Sequence, residues 1–254
     1  MIIAALHLPD FGRTRPRSVA WLEDYVLTNA RVFAETGISW VKLQDSTRMA
    51  QTIAHPETLT LMASLGRLIR QEYPELGLGI IIEAHDPRAA VAVAHATGAG
   101  FVRLKVFAGG AMTAQGPRYG LGAEAIAYRA QIGADGVAAL ADVHDRTAIS
   151  LTSESQPFAA QWCVKTGADG LIITGADFND TCARIEALRA QRIPPPVLIG
   201  GSVTEANIVP ALRAAQGVIV STALMRKEVG PFDLLRWDRE ACLRLMDAAR
   251  GGIV

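Results

Sequence analysis

Eight short apolar runs, each followed by a segment long enough for a helix, constrain the fold of this chain more than any other feature. The runs are Ile2–Leu6, Trp40–Leu43, Leu78–Ile82, Phe101–Val106, Val137–Val143, Gly170–Thr174, Val197–Ile199 and Gly217–Val220. Short continuous apolar runs mark strands buried on both faces of a parallel sheet. Between them lie Ser18–Glu35, Pro56–Glu72, Pro87–Thr97, Ala123–Ile132, Glu154–Lys165, Asn179–Gln191 and Glu205–Arg213, and Asp233–Arg250 closes the series. Eight strand–helix units in 254 residues predict a single (β/α)8 TIM barrel over residues 1–254.

The punctuation agrees. Pro56 and Pro87 stand where helices open, and Gly37, Gly98 and Gly167 follow last helical turns. A Thr-Gly-Ile or Thr-Gly-Ala triplet precedes the second, fourth and sixth strands, at Thr36, Thr97 and Thr166. Such turns re-aim the chain into the sheet.

Charge and cysteine content then exclude several function classes. Lys+Arg 25 against Asp+Glu 25 leaves no basic field to attract nucleic acid or anionic lipid. Cys163, Cys182 and Cys242 are widely spaced and odd in number, which supports neither a disulfide framework nor a structural zinc site and fits a reducing cytoplasm. The apolar run at the N-terminus is too short to span a bilayer, so membrane insertion is not expected. No organic-cofactor motif is present, and a divalent metal stays open.

In a barrel of this kind, chemistry sits at the C-terminal ends of the strands. Polar residues gather there: His7 after the first strand, Lys42, Gln44 and Asp45 at the second, and Glu83, His85 and Asp86 after the third. Arg103 and Lys105 lie in the fourth, Asp142, His144 and Asp145 end the fifth, and Thr174 and Asp177 come at the sixth. Alternation puts Arg103 and Lys105 on one face, with Lys105 near the mouth and Arg103 a layer deeper. A deep arginine needs a carboxylate, which Asp142 or Glu83 can supply. Asp142 and His144 also share a face and suit proton transfer or metal ligation. Lys105 is a candidate Schiff-base lysine, although an inward barrel lysine is more often ion-paired or bound to phosphate.

The last two strands carry the sharper signal. Gly200-Gly201-Ser202 ends one, and Ser221-Thr222 ends the other. Glycines let backbone N–H groups approach an anion, Ser202 adds a hydroxyl, and Ser221-Thr222 is placed to cap a short extra helix. Together they predict a phosphate anchor. The candidate catalytic residues are Asp142, His144, Lys105, His7 and Glu83; the candidate substrate-binding residues are Arg103, Thr174, Gly200, Gly201, Ser202, Ser221 and Thr222. The expected substrate is a phosphorylated small molecule, sugar- or nucleotide-derived, with isomerase, lyase and hydrolase chemistry all open. The segment Phe232–Ala249 is apolar enough for a homo-oligomer contact, and a core-facing helix explains it equally well.

The whole chain also resembles the BtpA family. The matching blocks are Leu6-His7-Leu8-Pro9, Asp86-Pro87-Arg88-Ala89-Ala90, Phe101–Val106 with Thr113-Ala114-Gln115-Gly116, Leu140-Ala141-Asp142-Val143-His144, Ile172-Ile173-Thr174-Gly175, Leu198–Thr204 and Val218–Leu224. The resemblance implies a TIM-barrel-like fold. It implies two functions: a photosystem I biogenesis factor, as in the member that names the family, or a sugar-metabolism enzyme, as in carbohydrate-operon members such as SgcQ. The chain departs from the family's usual pattern at Lys105, at Gln44-Asp45-Ser46-Thr47 and near Glu83–His85. Nothing in the sequence itself points to photosynthesis. A non-catalytic assembly factor, using the barrel as a platform and showing an exposed apolar patch, is the alternative to an enzyme.

Overall fold

The computed structural model describes residues 1–9, 17–46 and 52–252. Of the residues singled out above, Thr47 lies outside them. The predicted runs become β1 (Ile2–His7), β2 (Trp40–Gln44), β3 (Gly77–Ile81) and β4 (Phe101–Leu104), then β7 (Ala138–Asp142), β9 (Gly170–Ile173), β10 (Val197–Ile199) and β11 (Gly217–Val220). All eight pair in parallel and close a barrel in the order β1-β2-β3-β4-β7-β9-β10-β11, with β11 returning to β1. The crossovers are α1 (Val19–Thr36), α2 (Pro56–Glu72), α3 (Pro87–Thr97), α4 (Gly122–Gln131), α5 (Gln156–Thr166), α6 (Phe178–Ala190), α7 (Ile208–Ala214) and α8 (Arg239–Gly251).

Local chemistry sets the helix ends. Ser18 caps α1 by accepting from the Trp21 N–H, and Asp86 caps α3 by accepting from Ala89, with Pro87 in the first helical turn. The three Thr-Gly triplets act as predicted. Gly37, Gly98 and Gly167 are left-handed (φ 83, 69 and 100), and their N–H groups close the last turns of α1, α3 and α5.

Two apolar layers result. The larger lies between sheet and helices. The smaller fills the barrel bottom with Ile3, Ala5, Phe101, Leu140, Ile172, Leu198 and Ile219. Phe101 lies across β3, where a Cβ on Gly79 would run into its ring.

Two features differ from the sequence reading. The chain after β4 does not run straight to α4. It forms a hairpin, β5 (Gly110–Thr113) and β6 (Gly116–Tyr119), and β5 also pairs with β8 (Ile149–Ser150), which follows β7. Thr113 makes the hairpin turn: its hydroxyl donates to Gly116 O at 2.8 Å and accepts from Gln115 N at 3.2 Å. The Thr113–Gly116 block is therefore a turn of this small antiparallel sheet.

The second difference is at the C-terminal helix, which starts at Arg239 and not near Phe232. Buried Asn29 holds the preceding segment extended: its Oδ1 accepts from Arg236 N and Trp237 N, and its Nδ2 donates to Leu234 O. Trp237 is fully buried against Phe33 and Tyr25, so it is core. Asp238 then caps α8.

Candidate functional site

Above the apolar bottom layer, the alternate positions of successive strands turn polar. His7 follows Ala5 in β1, Lys42 and Gln44 follow Trp40 in β2, and Arg103 and Lys105 follow Phe101. A cavity of about 310 Å³ opens there, lined by these residues, Ala5, Asp145, Arg146, Thr147, Thr174, Gly200–Thr204, Ile219, Ser221 and Thr222. Most of the predicted site residues thus meet at one mouth.

Two of its cations are neutralised from behind. Of the two carboxylates the sequence offered to Arg103, Asp142 is the partner: Arg103 donates to it from Nε at 2.8 Å and Nη2 at 2.7 Å, with side chains 10% and 2% exposed. Burial alone would lower the Arg103 pKa, but the Asp142 charge and hydrogen bonds outweigh it and raise the value. Lys105 pairs with Glu83 at 3.0 Å. The other Glu83 carboxylate oxygen accepts from Gln44 Nε2 at 2.8 Å, and Glu83 N donates to buried Asp45.

Lys42 is the deeper lysine and was given no role on sequence. It is 2% exposed, and its Nζ donates to Gln44 Oε1 at 2.5 Å. Burial, then the nearby Arg103 guanidinium, drive its ammonium well below the usual lysine range. Its signal in the sequence was parity: it shares an inward face with Trp40 and Gln44. His7 lies opposite Gln44 in the β1–β2 register. Burial, then Lys42, lower its pKa to about 4, so it is neutral at neutral pH. His85, beside the site, is likewise lowered to about 4 by burial and then by Lys105.

The opposite wall is built for an anion. Gly200 must lack a side chain, because a Cβ would collide with Thr174 Oγ1. Ser202 is left-handed (φ 63), which turns the Gly200–Ser202 backbone sharply at the rim. Arg146 extends from the loop after β7, and its Nη1 donates to Ser202 Oγ at 3.2 Å. Arg146 was missed on sequence because a loop position has no parity. Two buried hydroxyls of this wall, Thr174 Oγ1 and Ser221 Oγ, have no hydrogen-bond partner. Thr222–Leu224 forms the expected extra helix, as one 3-10 turn, but the Ser221 side chain makes no cap bond to it.

His144 stands apart from the large cavity. It is left-handed (φ 59) and lines a small pocket of about 30 Å³ with Lys105, Asp142, Asp145 and Ser150. Its buried Nε2 has no partner, and burial, then Arg184, lower its pKa. Burial opposes the ionisation of Asp145, but Lys105 and two hydrogen bonds from Thr147 hold its carboxyl below the usual range. Among the described residues, no group of three or more His, Cys, Asp or Glu is placed to hold a metal ion, and no helix is long and apolar enough to cross a membrane.

Known proteins agree with this architecture. A structure of 3-hexulose-6-phosphate synthase superposes with a TM-score of 0.60 at 15% identity, covering 97% of this chain and 98% of that one. At that identity the likeness is of fold. An uncharacterised protein of Pyrococcus furiosus is 28% identical over 231 residues, 87% of this chain and 85% of the relative. The photosystem I biogenesis protein BtpA of Synechocystis is 34% identical over 152 residues, 59% of this chain and 53% of that protein. The BtpA family model matches residues 1–244, so the chain belongs to the BtpA family.

Proposed function

We propose that this chain is an enzyme acting on a phosphorylated small molecule, sugar- or nucleotide-derived, bound at the barrel mouth. The observation that carries the reading is the pair of buried, unpartnered hydroxyls of Thr174 and Ser221 beside the Gly200–Ser202 turn and Arg146. An unmet buried hydroxyl costs about 1–3 kcal/mol, and a phosphate oxygen would meet both. Gly200, Gly201, Ser202, Ser221, Thr222, Thr174 and Arg146 anchor the phosphate. Lys105 and Arg103 face the reacting end and stabilise developing negative charge. Neutral His7 and the Glu83–Lys105 pair handle protons there. Asp142 keeps Arg103 in place, and His144 serves from the adjoining small pocket. The neighbouring fold of 3-hexulose-6-phosphate synthase, a protein named for a phosphorylated sugar, supports this class of substrate.

Calorimetry with inorganic phosphate and ribose 5-phosphate tests the reading on wild type and Ser202→Asp. Aspartate tolerates the left-handed backbone at Ser202, so the fold survives while the added charge repels the anion. Binding to wild type that vanishes in the variant is expected; unchanged binding would sink the anchor.

A second reading has its own observation. Tyr119 (68% exposed) and Ile149 (73%), with Met112 and Leu151, form an apolar face on the small antiparallel sheet, which suits the non-catalytic assembly factor. The name of the Synechocystis relative points the same way. Ile149→Lys would then abolish partner binding and leave phosphate binding intact.

A further inference from the structure

Four lysines are present in the chain, Lys42, Lys105, Lys165 and Lys227, and two of them reach the mouth. Their surroundings differ. Lys105 is held in an ion pair by the Glu83 carboxylate at 3.0 Å. Among the described residues Lys42 has no ion pair, and its side chain makes one hydrogen bond, to an uncharged amide oxygen. The two carboxylates nearest this layer, Glu83 and Asp142, are committed to Lys105 and Arg103. Burial and the neighbouring Arg103 and Lys105 cations outweigh the attraction of Glu83 and Asp142 and favour loss of the Lys42 proton, and a neutral amine is a nucleophile. Lys42 still lines the cavity, on β2, across from the Gly200–Ser202 wall.

We propose that Lys42 forms an imine with the carbonyl carbon of a phosphorylated aldehyde or ketone whose phosphate sits on the Gly200–Ser202 wall. This rests on the phosphate reading above and names its substrate class. In the step, the Nζ lone pair attacks the carbonyl carbon and the C=O π pair moves to oxygen. Two protons pass from nitrogen to that oxygen, through His7 at the same rim, and water departs. Amine plus carbonyl thus gives imine plus water, with no oxidant or further reactant. The imine withdraws electrons from the neighbouring carbon, as aldol-type cleavage or enolisation requires. The role that the sequence offered to Lys105 falls to Lys42.

Reductive trapping tests it. The whole chain is incubated with dihydroxyacetone phosphate or glyceraldehyde 3-phosphate, reduced with borohydride and mapped by peptide mass spectrometry. The expected result is an adduct on Lys42 that excess inorganic phosphate suppresses and that Lys42→Arg lacks, with that variant's fold checked by circular dichroism. Arginine keeps a cation at the position but offers no amine for imine formation. An adduct on Lys105, labelling spread evenly over the four lysines, or no Lys42 adduct from either probe overturns the proposal. Phosphate-free dihydroxyacetone separates the two readings. Equal Lys42 labelling with and without the phosphate group leaves the imine standing and removes the anchor. Calorimetric binding of phosphate without any Lys42 adduct leaves the anchor standing and removes the imine. Mapping of the wild type decides these outcomes even if the variant does not fold.

Discussion

Arg146 and Ser202 are 56 residues apart in sequence, yet Arg146 Nη1 lies 3.2 Å from Ser202 Oγ across the rim of the barrel. The contact joins the loop after β7 to the turn after β10. It puts a mobile-stemmed cation beside the glycine turn without burying it. Replacing Arg146 by Ala should leave unfolding unchanged and weaken phosphate affinity. A lost charge-assisted hydrogen bond is worth about 1.5–3 kcal/mol, roughly ten- to a hundredfold in Kd. Calorimetry reads the change.

Gly200→Ala should do more damage than its size suggests. The new methyl meets the Thr174 hydroxyl and Ile172 Cγ2, and the Arg103 guanidinium lies just beyond. Overpacking of this kind costs about 1–3 kcal/mol. Urea unfolding should show that loss, and phosphate binding should fall with it because Thr174 must move.

Asp142→Asn should be among the most destabilising single changes in the barrel. It leaves the Arg103 guanidinium buried without its carboxylate, at a cost of about 3–5 kcal/mol. Replacing both partners, Arg103→Met with Asp142→Leu, should recover most of that stability, since neither buried charge then remains. A double-mutant cycle by thermal or urea unfolding checks the sign.

Stability should also fall on the acid side through His7 and His85. Both are lowered from 6.5 to about 4 in the folded chain. Between those values the unfolded chain binds more protons than the folded one at these two positions, so their contribution to stability is complete above pH 6.5 and lost as pH falls towards 4. The combined change His7→Gln and His85→Asn should flatten this part of the stability curve. Asparagine suits His85 because that residue is left-handed (φ 57).

The barrel was legible because buried parallel strands leave continuous apolar runs, and because the Thr-Gly turns at Gly37, Gly98 and Gly167 mark where helices give way to strands. Alternation within one strand was enough to call for a carboxylate at Arg103, Asp142 or Glu83, and the structure supplies Asp142. The same reasoning, applied to β2, would have set Lys42 inside beside Trp40 and Gln44. The hairpin after β4 was not read, although the long stretch between Lys105 and Gly122 lacked a helix and Thr113–Gly116 is a two-residue turn. Its pairing with β8 depends on contacts far apart in sequence, which local patterns do not encode. The extended segment held by Asn29 escaped for the same reason, and Arg146 because a loop position has no parity.

The β5–β8 pairing has a further consequence. Leu151 N donates to Gly110 O at 3.0 Å, so the chain leaving Lys105 and the chain leaving Arg146 are stitched into one flap. A shift that drew Arg146 away from a phosphate would drag on the wall that carries Lys105. On the proposed reading, grip on the ligand's tail and placement of its reactive head would be geared together through this pairing.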